Sequence, residues 1–88
     1  MANFMGGSAP AMANQISEGF ILVSSATLRG FTPADLQTLR AEIDKLLRTA
    51  RAEVPPADDA LAAQSRNRRI ARLSSCLQVV GAMLTTRR

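Results

Sequence analysis

The sequence predicts a mostly α-helical domain, an antiparallel helical hairpin preceded by a short strand and assembled as a homodimer. Three observations carry that expectation. Apolar residues recur at alternating spacings of three and four over residues 36–50 and again over 70–84. A Pro55-Pro56 turn short enough to reverse the chain separates the two runs. The second run carries more apolar surface than one neighbouring helix can cover, and a chain of 88 residues with one cysteine and no histidine has neither disulfide nor zinc to support a small core.

The elements follow in order. Residues 1–15 have no charged side chain and hold a Gly6-Gly7 pair and Pro10 among small residues, so they read as a flexible arm ahead of a single dimerising domain at 16–88. Gly19 to Gly30 is an apolar run turning polar between two glycines, and its β-branched content favours a short strand paired with the same strand of a second copy. Helix is the rival reading, giving an all-α three-helix alternative, because Met12, Ile16, Phe20, Val23 and Thr27 also fall at helical spacing.

The first helix of the hairpin has agreeing start signals. Thr32 suits the N-cap, Pro33 the first helical position and Asp35 the positive end of the dipole, with Phe31 and Leu36 flanking the cap as a hydrophobic staple. The expected helix runs about 23 residues, to the prolines. Asp58 and Asp59 are expected in the first turn of the second helix. The expected hairpin core is Leu36, Leu39, Ile43 and Leu46 against Ile70, Leu73, Leu77, Val80 and Leu84. Cys76, Val79 and Met83 lie on the other side of the second helix, as a face for a dimer or a different partner.

Charge is distributed unevenly. The net +4 arises wholly after residue 55, where six arginines face only Asp58 and Asp59. By helical angle Arg68 and Arg72 point away from the apolar stripe and Arg69 lies at its edge, so these three are the partner-binding candidates. The bland reading of the cluster is a solvated face; the functional ones are docking on an acidic protein surface or on phosphates.

Catalysis finds no support. No histidine is present to activate Ser24, Ser25, Ser65, Ser74 or Ser75, and Asp58 and Asp59, as sequence neighbours, diverge by about 100° on a helix. No cofactor and no small-molecule substrate are expected. Cys76 reads as a packed small hydrophobe. No apolar run reaches membrane-span length and the N-terminus lacks a basic signal start, so the expected compartment is the cytoplasm.

Two function classes remain. Strand, Thr-Pro-capped helix, turn and helix is the order of ribbon-helix-helix repressors, yet Phe20 to Val23 is apolar where those proteins carry base-reading side chains. A small basic dimeric DNA-binding regulator using Arg68, Arg69 and Arg72 is the alternative. The favoured class is a small inhibitor acting by protein contact. Residues 22–36 (Leu-Val-Ser-Ser-Ala-Thr-Leu-Arg-Gly-Phe-Thr-Pro-Ala-Asp-Leu) and 65–73 (Ser-Arg-Asn-Arg-Arg-Ile-Ala-Arg-Leu) resemble small early-region proteins of Mu-like bacteriophages, of the twitching-inhibitory type. That resemblance implies a host protein as partner, the ATPase that drives type IV pilus extension, and action in the host bacterial cytoplasm. It assigns no role to any single position.

Overall fold

The structure, a computed structural model, describes residue 4 and residues 7–86. Three helices build it: α1 (Ala9–Ser17), α2 (Pro33–Ala52) and α3 (Ala60–Thr86). The hairpin is present as expected. Helices α2 and α3 pack along each other, and α1 lies across both.

Thr32 caps α2 through a complete capping box. Its Oγ1 accepts from the Asp35 N–H at 3.1 Å, and the Asp35 carboxylate accepts from the Thr32 N–H at 3.0 Å. The helix ends at Ala52, two residues short of Val54, because Glu53 already turns to extended backbone ahead of the prolines. Asp58 and Asp59 do not enter the first turn of α3. They precede it, and Asp59 acts as a cap, its Oδ1 accepting from the Ala62 N–H at 2.9 Å.

Residues 9–17 overturn the expectation of a flexible arm over 1–15, from Ala9 onward; residues 1–3, 5 and 6 lie outside the described ones. Ser8 Oγ caps α1 by accepting from the Ala11 N–H, and Pro10 fits the first turn. Met12, Ala13 and Ile16 are then buried against the hairpin. Ala9 and Ala13, two of the small residues in that stretch, are themselves buried.

The strand over Gly19 to Gly30 does not form, and no strand occurs among the described residues. Gly19 explains the beginning of this segment. With φ of +84° it ends α1 in a Schellman arrangement, the Phe20 N–H donating to Gln15 O and the Gly19 N–H to Ile16 O. The helical rival therefore holds through Ile16 and fails at Phe20, Val23 and Thr27. The rest of the connection, residues 18–32, is here called the strap. Among the described residues it has no strand beside it to pair with, and it folds into successive turns over 25–30, closed by reciprocal bonds between Ser24 and Thr27 and by the Leu28 N–H donating to Ser24 O.

One core results. Leu36, Leu39, Ile43, Leu47, Leu73 and Val80 of the hairpin are buried with Met12, Ala13 and Ile16 of α1 and Leu28 and Phe31 of the strap. Leu46, Ile70, Leu77 and Leu84 form its half-buried margin. The Phe4 ring meets Phe31 edge to face at 5.3 Å.

Candidate protein-contact surface

Of the arginines proposed as a patch, the fold separates one from the other two. Arg68 is exposed and makes no polar contact among the described residues. Arg69 bridges the hairpin, its Nη2 lying 2.6 Å from the Glu53 carboxylate and its Nη1 donating to Ser65 Oγ. Arg72 reaches α1, where its Nη1 donates to the carbonyl of the buried Ser17 at 3.0 Å. Its guanidinium lies against Gly19, so that a Cβ there would come within 2.9 Å of Cζ.

Arg66 does the same for α2. Its Nε donates to Ala50 O at 3.0 Å and its Nη2 to Arg51 O at 3.1 Å. Three arginines at three-residue spacing on α3 thus meet the C-terminal end of α2 or of α1, where unpaired carbonyls and the negative end of the helix dipole favour a cation. Arg66, Arg69 and Arg72 hold the fold together. This use was not readable from helical angle alone, since it depends on two other helices ending beside them.

The apolar face is also divided. Cys76 is buried in the chain's own core, and so is not available as a contact residue. Burial pushes its thiol up to about 11, which keeps it protonated and unreactive near neutral pH. Val79 and Met83 remain half-exposed.

The sequence reading missed the most exposed apolar groups beside this face. Phe20 is 81% and Leu22 86% exposed, while Ile21 and Val23 between and after them turn inward onto the core. An open groove of about 250 Å³ lies between the strap (Ile21, Leu22, Val23) and α3 (Ala71, Ser75, Cys76). A second, of about 500 Å³, continues past Val23 to Val79, Ala82 and Met83. All four residues from Phe20 to Val23 are apolar, so the sequence carries no alternation that marks which two are exposed; the alternation is in their exposure alone. Its period of two indicates one face in and one face out, whether or not a sheet is present.

Among the described residues no cluster of potential metal ligands occurs, and no helix is long and apolar enough to cross a membrane. Comparison with family models, curated proteins and solved structures finds no match to this chain.

Proposed function

We propose that this chain is a non-enzymatic protein-binding module whose contact surface is the outer side of the strap together with the adjoining face of α3. The observation that carries this is the exposure of Phe20 and Leu22 beside the half-exposed Val79 and Met83. Two large apolar side chains held out next to an open apolar groove cost the free protein solubility, and such patches mark contact sites. The resemblance to Mu-like phage early proteins supplies the specific partner. The module is a phage-encoded inhibitor of a host ATPase, the type IV pilus extension motor, in the host cytoplasm. Without chemistry of its own it blocks the motor by occupying a surface or by binding one conformation better than another. The reading includes a homodimer.

The arginines enter differently from the sequence-based expectation. Arg69 and Arg72 are engaged within the fold, so of the three only Arg68 is free to steer an acidic partner. The same engagement weakens the DNA-binding alternative, which needs several cations free to meet phosphates.

Capture from bacterial lysate on the immobilised protein, with nuclease treatment, tests the proposal. The expected result is one enriched ATPase that survives nuclease, is lost with Phe20→Ser/Leu22→Ser, and whose ATP hydrolysis falls when the purified module is added. Nuclease-sensitive recovery of many proteins, or undiminished capture by the double variant, overturns it.

A further inference from the structure

The main chain of Ile21, Leu22 and Val23 makes no hydrogen bond among the described residues, although both ends of the segment are tied down. The Phe20 N–H donates to Gln15 O at one end, and Ser24 is held by Thr27 and Leu28 at the other. Alternating exposure from Phe20 to Val23 is that of an extended run. An extended run with free N–H and C=O groups is a template for another strand, and monomeric proteins protect such edges with charge or proline. Residues 19–28 contain neither.

We propose that this edge pairs with the same edge of a second copy, antiparallel about a two-fold axis at Leu22. The inference specifies the surface of the function proposed above and rests on that reading for its purpose, though not for its test.

Charge and main-chain geometry select the occupant. Between Glu18 and Arg29 no ionisable group opposes the approach of an identical segment. Directly opposed residues in an antiparallel pair point to the same side, so inward residues must meet inward ones. With the axis at Leu22, Ile21 faces Val23 of the second copy, and the two exchange N–H and C=O groups that are all free in the single chain. Leu22 then faces its own counterpart at a non-hydrogen-bonded position. Phe20 and Leu22 of both copies share the outer side of the ribbon, which makes the apolar surface offered to a target a composite of two chains. A standard interface takes about 800 Å² from each partner, roughly a seventh of the 5569 Å² surface of this chain. A five-residue ribbon with Val79 and Met83 beside it falls toward the low end, so the dimer is expected in the micromolar range.

Sedimentation equilibrium from micromolar to submillimolar concentration, with no target present, tests this. The wild type is expected to dimerise. Leu22→Lys, which opposes two like charges at the axis, is expected to weaken the dimer by about tenfold or more with unchanged helical content. Leu22→Cys in a Cys76→Ala background is expected to cross-link under mild oxidation much faster than Ser25→Cys in the same background, because opposed Cα atoms at about 4.5 Å suit a disulfide. A wild type that stays monomeric throughout, a dimer indifferent to Leu22→Lys, or equal cross-linking at residues 22 and 25 overturns the proposal. Failure to capture an ATPase bears on the target alone and leaves these outcomes unchanged.

Discussion

The α2–α3 hairpin and the strap use the same kinds of apolar residue to opposite ends. In the hairpin, Leu36, Leu39, Ile43, Leu73 and Val80 are completely buried, and the exposed helix ends are closed by Thr32, Asp59 and Arg66. In the strap, Leu28 and Phe31 anchor the chain, whereas Phe20 and Leu22 stand in solvent beside the main chain of residues 21–23, which makes no hydrogen bond among the described residues. The difference separates two roles by location. Satisfied polar groups and filled space account for stability, and the unpartnered edge with its exposed side chains is the surface proposed for contact.

Substitutions on either side of that division sharpen it. The largest effect is expected at the centre of the hairpin. Leu73→Ala should lower unfolding free energy by about 3 kcal/mol, the middle of the range for emptying a fully buried leucine site, read as a drop in the urea midpoint. Loss of self-association without loss of stability in this variant would place the contact surface in the core and break the division.

Next come the arginines, where near neighbours should behave differently. Arg66→Ala removes a side-chain donor from the Arg51 and Ala50 carbonyls at the end of α2, of which Ala50 O keeps the Glu53 N–H, and should cost about 1 kcal/mol, whereas Arg68→Ala should change stability by less than about 0.5 kcal/mol. Equal costs in thermal denaturation would contradict the separation of this cluster into fold-holding and free members.

A third effect depends on pH. Burial raises the Cys76 thiol from 9.0 to about 11, so the unfolded chain releases this proton first as pH rises. Stability should therefore be flat for this group below about pH 9 and fall between about 9 and 11. Cys76→Ala should remove that part of the alkaline decline, and an unchanged slope would mean that the thiol is not buried in the core. The smallest stability effect is expected at the exposed positions. Phe20→Ser and Leu22→Ser should each leave the unfolding midpoint within about 0.5 kcal/mol of wild type, measured at concentrations where the chain is monomeric.

The hairpin was legible because its signals are local. A three-four repeat, a Thr-Pro cap with Asp35, and a double proline each act through neighbours in sequence, and all three appear in the structure where the sequence places them. Helix α1 was less so, since Ser8, Pro10 and Met12 mark a helix only if α2 and α3 are there to bury Met12, Ala13 and Ile16. Gly19 marks a boundary in the sequence, but whether a boundary glycine begins a strand or ends a helix depends on φ, which one sequence does not state. Arg72 reads as lying off the apolar stripe by angle, yet it is half-buried against α1, a use hidden in the sequence because the Ser17 carbonyl arrives from 55 residues away. Cys76 lies on the far side of the main α3 stripe by angle, and its burial depends on α1 and the strap packing beside that side of α3, which no local spacing states.

The separation of stability from contact is tested most directly by amide hydrogen exchange of the wild-type protein at a low and a high concentration. The slowest amides should lie in α2 and α3 around Leu39, Ile43, Leu73 and Val80 at both concentrations, because their exchange requires global opening. The amides of Ile21 and Val23 should exchange rapidly in dilute solution and become protected as concentration rises. Protection at these two positions that is the same at both concentrations, or concentration-dependent protection confined to the hairpin, would contradict the account.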